Sequence, residues 1–343
     1  MKILSTLVFC LGLISILSAQ DIYQKHLGSI GADYLTDMQR LTDGSFIALG
    51  YTKSRTADSS YAQLFKLDAD MNLVWSKTFS FNNQMQTTNL TLGLGGNIFL
   101  SGRTWQTPTA TAKQGAFVIK TDATGNTLWN RIISYTGTER MATVIEEADS
   151  TLRYFVSGAN SSYYIKASKT GVPNDMGKSP TNGAYDFQIR KAIRVSANKY
   201  LMVCPIQQGD EHLIMLNNDA IEWAREYWGI FNTGRIFDIT VDAKDEIYFA
   251  GDYRAGNYEL RQVHVGKLTA NGLVRWTTVL PLIKLGGTGV DSIWRYTTAN
   301  HIALKGNTLY VSGNLLNERT NISYGTISAF DTAQMASANL SWR

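Results

Sequence analysis

The chain has 343 residues, 44% hydrophobic and 17% charged, with 29 glycines, 5 prolines and a formal net charge of +4. That charge is too small and too scattered for a nucleic-acid or membrane-surface role. The polar remainder is Thr, Ser, Asn, Gln and Gly, and 17 Tyr and 8 Trp accompany it. This is strand-and-turn chemistry, because β-branched and aromatic side chains pack on a pleated surface while Gly and Asn accept left-handed turns.

In chain order, Lys2 precedes a largely apolar run over residues 3–17, and Leu17-Ser18-Ala19 offers a cleavage point before Gln20. The run is shorter than the roughly 20 residues a membrane helix needs. Residues 1–19 are therefore predicted to be a secretory signal peptide and 20–343 a single exported domain with no integral membrane segment left after cleavage. The expected location is the periplasm, the cell surface or the medium. Cys10 follows Phe9 in mid-run, which disfavours a lipoprotein signal. The exported chain would keep Cys204 alone, so no internal disulfide is available and the fold must stand on its core.

Next come IYQKHL, then ADYLTDMQRL, a turn at Asp43-Gly44 and the strand SFIALGY. A polar loop leads to a hairpin, AQLFKLD and NLVWSKTF. The cycle repeats: TTNLTLGLGGNIFLSG, a loop, then GAFVIKTDATGNTLWNRII; RMATVIEEADSTLRYFVSG with the degraded hairpin SYYIKASKTG; RKAIRVSANKYLMVCPIQ with HLIMLNNDAIEWAREYW; RIFDITVDAKDEIYFAG with QVHVGKLTANGLVRWTTVL; and HIALKGNTLYVSG with a final YGTISAFDTAQMASANLSWR.

The second strand of successive units ends at Gly50, Gly102, Gly158, Gly251 and Gly313, with Cys204-Pro205 in the fourth place. A repeat of roughly fifty residues with four short strands is the signature of a β-propeller. The expectation is an all-β, single propeller of six four-stranded blades. A seventh blade would require a hidden extra unit, and none is visible. The N-terminal strand IYQKHL is expected to complete the last blade and close the ring, with ANLSWR the competing candidate for that place.

The hairpin pattern Asp122-x-x-Gly125-x-x-x-Trp129 resembles the docking motif of quinoprotein-type propellers and of their non-enzymatic outer-membrane-assembly relatives. It is also similar to repeats of large secreted bacterial propellers of unknown role. The resemblance implies a propeller and implies no quinone, and no cofactor is expected. Met71 replaces the turn glycine in the first unit, and the third unit has no tryptophan.

Trp75, Trp129, Trp223 and Trp276 each follow their turn at a similar spacing. One aromatic per blade at one place is expected of wedges that dock blades, not of a shared ligand platform. Each would contribute roughly 2–3 kcal/mol through apolar burial. Asp68-x-Asp70-x-Asn72 has the alternating oxygens of a calcium loop but lacks the glycine and distal glutamate of one. A turn bonded to its own backbone is expected there, and no metal site. The histidines His26, His212, His264 and His301 show no metal spacing, and no G-x-S-x-G, H-E-x-x-H or phosphate loop is present. Glu146 and Glu147 are neighbours, so on a strand they face opposite ways. No catalytic residue is assigned.

One constellation points to binding. Arg140, Arg190, Arg235 and Arg295 recur at the start of a unit's first strand. In a propeller that strand lines the axis, so the four guanidiniums are expected to converge on one channel mouth, suited to carboxylate, sulfate or phosphate. The plain alternative is that each bonds a neighbouring blade's carbonyls or stays solvated. Asp33, Tyr34 and Asp291 fall near the same mouth. Loops over residues 52–60, 103–114, 252–262 and 314–323, carrying Trp105, Tyr253 and Tyr258, would share that face.

The leading expectation is a binding or scaffold module for a protein or glycan partner, acting through the loop face and an arginine-lined funnel, as a monomeric ring or a subunit of a larger assembly. The alternatives are a lyase or hydrolase acting on an acidic glycan or small anion, and a structural subunit of a surface assembly. A carboxylate with a Tyr or His beside the arginines would favour the enzyme.

Overall fold

The computed structural model describes residues 32–53, 59–80, 84–105, 114–134, 139–158, 162–175, 177–179, 188–205, 211–227, 235–254, 261–279, 283–284, 293–317 and 322–333. These residues form a six-bladed β-propeller of antiparallel sheets. The first blade is β1 (Ala32–Arg40), β2 (Phe46–Lys53), β3 (Ser60–Leu67) and β4 (Leu73–Phe79). The second is β5 (Gln84–Leu92), β6 (Ile98–Trp105), β7 (Gln114–Thr121) and β8 (Thr127–Ile133). The third has β9 (Arg140–Glu146), β10 (Leu152–Ser157) and β11 (Ser162–Ala167). The fourth is β12 (Lys191–Ser196), β13 (Lys199–Pro205), β14 (Glu211–Asn217) and β15 (Ala220–Glu226). The fifth is β16 (Arg235–Val241), β17 (Ile247–Arg254), β18 (Arg261–Leu268) and β19 (Val274–Val279). The sixth joins β20 (Ile283–Lys284), β21 (Ile293–Lys305), β22 (Thr308–Asn317) and β23 (Ile322–Asp331).

The burial patterns explain the arrangement. The second strands are covered on both faces: residues 47–51 of β2 and 200–204 of β13 are all buried. The outermost strands β4, β8 and β15 alternate between exposed and half-buried positions, as a strand with one wet face must. Five apolar clusters make up the described core, and each is drawn from two consecutive blades. The core therefore lies in the seams between blades, and every blade depends on its neighbours.

The third blade departs from the four-strand expectation. Its fourth place is held by a segment that makes only isolated bridges, Ala167 with Pro173 and Tyr164 with Lys178. Pro173 has no N–H to give to a ladder, which explains why pairing is interrupted there. In the sixth blade, IYQKHL and ANLSWR, the two candidates for the closing strand, both lie outside the described residues. The ring is nonetheless joined on its inner side. The His301 Nε2 on β21 lies 3.2 Å from the Thr36 carbonyl on β1.

The tryptophans sit at the seams. A Cβ built on Gly125 of the second blade's hairpin would lie 3.0 Å from the Trp75 ring of the first blade. One on Gly171 would lie 2.7 Å from Trp129, and one on Gly272 would lie 3.0 Å from Trp223. Each turn glycine thus faces the preceding blade's indole. Trp276 packs against the cluster shared by the fifth and sixth blades, with its ring edge-on to Tyr248 at 6.5 Å.

Candidate functional site: a polar girdle around the channel

The first strands β1, β5, β9, β12, β16 and β21 line the axis, and most carry a β-bulge near the same height. The register shifts fall at Leu35/Asp37, Thr87/Asn89, Ile236/Asp238 and Ala299/His301, and β9 shifts between Met141 and Thr143. A bulge turns two consecutive side chains toward one side and re-aims the residue after it. Asp37, Asn89, Thr143, Asp238 and His301 stand just past these shifts. Lys191 holds the equivalent place on β12, because the residue after it makes the same bond to the preceding blade. Each of the six blades so places one polar residue at this level.

Hydrogen bonds run from blade to blade through this level. The Leu90 N–H donates to Asp37 Oδ2 at 2.8 Å, the Ala192 N–H to Thr143 Oγ1 at 3.0 Å, and the Ile302 N–H to Asp238 Oδ2 at 2.8 Å. The Thr88 hydroxyl donates to the Met141 carbonyl at 2.6 Å. Lys191 pairs with Asp238, and His301 closes the circle on Thr36. All six seams are bridged.

Four of the six girdle residues, Asp37, Lys191, Asp238 and His301, are ionisable. Asp238 is buried at 3% side-chain exposure. Lys191 pairs with one of its oxygens, and His301 Nδ1 lies 3.5 Å from the other. Burial pushes the Asp238 carboxyl up, but the Lys191 ammonium and the His301 ring more than offset it, so the group lies below the usual carboxylate range. Burial works against the charged forms of Lys191 and His301 as well. The Asp238 charge outweighs it for Lys191; the bond to Asp238 and the Asp37 charge do so for His301, and both groups end above their ordinary values. Asp37 behaves differently. Burial raises its carboxyl, and the His301 charge and the Leu90 N–H offset only part of that. The carbonyl of Thr36 can only accept, so His301 carries its proton at Nε2 and, when charged, turns Nδ1–H toward Asp238.

Above the girdle a cavity of about 450 Å³ opens along the channel, lined by Asp37, Lys191, His301, Arg140, Arg190 and Phe237 among others. Of the four sequence-predicted arginines, Arg140 and Arg190 reach it. Arg140 is exposed, and among the described residues no carboxylate is paired with it. Arg190 donates to the Ile236 carbonyl of the next blade at 2.6 Å and to the buried Glu211 at 2.7 Å. Burial lifts the Glu211 carboxyl to about 7, against the pull of Arg190. Arg235 is exposed at the same end of its strand but does not line the cavity. Arg295 starts the equivalent stretch of β21, paired with Leu316, and its side chain lies outside the described residues.

A further arginine lies near Arg140 without lining the cavity. Arg103, on β6, donates to Gln86 Oε1 at 2.6 Å and lies over the Trp105 ring at 4.8 Å. Burial pulls its guanidinium below the ordinary value, and the charge of Arg140 pulls it further. Among the described residues neither Arg103 nor Arg140 is paired with a carboxylate. Tyr34 stacks on Tyr51 at 4.7 Å beside them, and Gln86 donates to the Tyr51 hydroxyl at 3.2 Å. The side chains of Asp33, Tyr253 and Tyr258, all of Asp291, and loop residues 54–58, 106–113, 255–260 and 318–321 lie outside the described residues.

Other expectations can be located. Asp68 Oδ1 accepts the N–H groups of Asp70 and Asn72 at 3.0 and 2.7 Å, an Asx-type turn. Glu146 and Glu147 do diverge: Glu146 bonds Lys120 at 2.7 Å and Glu147 bonds Arg194 at 2.7 Å. The sequence reading missed Asp37, Lys191, Asp238 and His301. A signal was available, because each first strand carries one or two polar residues directly before an apolar one at this place, in TDM, TNL, ATV, RKA, FDI and NHI.

No protein-family model matches this chain, and no curated protein does. Among solved structures it is similar to a protein of unknown function from Bacteroides caccae, 13% identical over 79% of this chain and 86% of that one, with a TM-score of 0.49. It is also similar to a luciferin-regenerating enzyme, 9% identical over 86% and 90%, TM-score 0.49. YCF48 from Cyanidioschyzon merolae is 10% identical over 88% of each chain, TM-score 0.45. Likeness at this level carries no activity from one chain to another.

Proposed function

We propose that this protein is an exported propeller that binds an anionic group of a protein or glycan partner at the arginine-lined mouth of its channel. One observation carries the reading: Arg140 and Arg190 line one channel cavity, and Arg140 is exposed with no carboxylate paired with it among the described residues. Guanidinium planes suit carboxylate, sulfate and phosphate. The aromatic surroundings of Tyr34, Tyr51 and Trp105 fit recognition of an extended partner. The leader-like residues 1–19 support export.

A glycan array and a pull-down with wild type, Arg140→Ala, Arg190→Ala and the double variant test this. Partners recovered by wild type should carry acidic groups and weaken at least tenfold with either single variant. Unchanged capture by the double variant would overturn the reading.

An enzyme is the second reading. It is favoured by Asp37 and His301, a carboxyl group and an imidazole lining the same cavity as Arg140 and Arg190. A hydrolase or lyase needs such an acid–base pair beside the group that holds substrate. Under this reading, Asp37→Asn would keep binding of an acidic glycan while new reducing ends or unsaturated products cease to form.

A further inference from the structure

We propose that the channel cavity takes a compact organic dicarboxylate, with one carboxylate held by Arg140 and Arg190 at the mouth and the other by Lys191 and His301 at the floor. The inference rests on the reading that the mouth binds an anion, and it adds the chemical class of a small ligand.

The size of the space is the first argument. About 450 Å³ is a small-molecule volume, within the range of cofactor and metabolite pockets. It is too confined for a folded partner and does not need one.

The distribution of charge is the second. At the floor, Lys191 and His301 share the single carboxylate of Asp238, which also accepts the N–H groups of Ile239 and Ile302, each at 2.8 Å. Asp238 does not line the cavity, whereas Lys191 and His301 do. Two cations thus face the space in front of one fully engaged anion. The Lys191 ammonium has protons beyond the one directed at Asp238. His301 contributes charge more than a free N–H, since its ring nitrogens face Thr36 and Asp238. The groups facing His301 are Asp37 and the Thr36 carbonyl on β1, Asp238 on β16 and Lys191 on β12. Asp37 is the remaining carboxyl at this level, and its two oxygens accept the N–H groups of Met38 and Leu90, each at 2.8 Å. At the mouth, Arg190 is balanced by Glu211, and Arg140 is left in excess. Cationic side chains thus line the cavity at the mouth and at the girdle.

The spacing selects against a point-like dianion. The two cation pairs belong to different levels: Arg140 stands three residues before Thr143 on β9 and the Arg190 guanidinium reaches the Ile236 carbonyl, two residues before Asp238 on β16, whereas Lys191 and His301 stand at the girdle itself. A molecule with two separated carboxylates meets both, while inorganic phosphate meets only one.

Calorimetric titration of the full chain with acetate, succinate and inorganic phosphate tests the proposal. Succinate is expected to bind at least tenfold more tightly than either acetate or phosphate. His301→Gln, whose amide keeps an N–H for the Thr36 carbonyl, should bring succinate down to the acetate value and leave acetate within about twofold. Arg140→Ala should weaken both. A measurement on wild type needs no variant: the succinate-to-acetate ratio should fall as pH rises through the His301 titration. Equal affinity for succinate and acetate, succinate matched by phosphate, or a ratio indifferent to His301→Gln would overturn the dicarboxylate while leaving an anion-binding mouth intact. Binding of none of the three would overturn the dicarboxylate too, and the array and pull-down with Arg140 and Arg190 variants would then decide the mouth separately.

Discussion

Trp129 and Gly171 meet across the seam between the second and third blades, where a Cβ on the glycine would stand 2.7 Å from the outer carbons of the indole and 3.0 Å from the Tyr154 hydroxyl. Gly171 also has φ +79°, so the turn and the seam both exclude a side chain. Asparagine separates the two causes, because it tolerates a left-handed backbone. Gly95, at φ +65° with nothing within 4 Å of its would-be Cβ, is the control. Gly171→Asn should destabilise by about 1–3 kcal/mol through overpacking, and Gly95→Asn by less than about 0.5 kcal/mol. Urea unfolding of both variants measures this, and equal losses would assign the effect to backbone strain.

The seam after the third blade has no tryptophan, and buried polar contacts occupy it instead. Arg153, 3% exposed, pairs with Asp219 at the fourth blade's hairpin turn and lies 4.7 Å over the Tyr200 ring. The Tyr164 hydroxyl donates to the Asp219 carbonyl at 2.9 Å. Arg153 also lies 3.7 Å from Glu147, and Asp219 keeps Lys166 at 2.8 Å, so neither is left alone when the other is removed. Arg153→Met should cost about 1–3 kcal/mol, and Asp219→Asn added to it should cost less than it does alone. Strict additivity in a double-mutant cycle would mean that the two side chains do not act as a pair.

His264 sets an acid limit. It is 1% exposed, and burial pulls its imidazole from 6.5 to about 4. Between those values the unfolded chain takes up a proton that the folded chain refuses. Stability should therefore fall as pH drops from about 6.5 to about 4, by roughly 3 kcal/mol, and level off below. His264→Leu should flatten that limb in melting temperatures taken across the range. A wild-type curve indifferent to the substitution would contradict the assignment.

His301 carries the opposite sign. Its folded value is raised, so its contribution is fully present below the ordinary 6.5 and is lost as pH rises through the raised value. With His264 acting on the acid side, greatest stability is expected near neutrality. Asp238→Asn removes the carboxylate that holds the His301 proton, and should abolish the alkaline limb while lowering stability by about 3–5 kcal/mol. An alkaline limb that survives Asp238→Asn would have to come from another group.

The repeat, the blade hairpins and the seam tryptophans were legible in the sequence because each is local. A turn and the aromatic after it lie within one hairpin, and alternating apolar residues declare a strand wherever they occur. The sequence also brought forward Arg140 and Arg190 by recurrence alone. Recurrence could not separate Arg140 from Arg190, whose guanidinium is taken up by Ile236 and Glu211, nor from Arg235, which stands outside the cavity. The girdle was not legible as a site. Asp37, Lys191, Asp238 and His301 each look like ordinary polar positions in a strand, and His301 meets Thr36 across 265 positions of chain. Closing the ring brings the first and last blades together, and the bulges turn these residues to one level. Charge pairing in that desolvated channel depends on distance through space, which the order of residues along the chain does not contain.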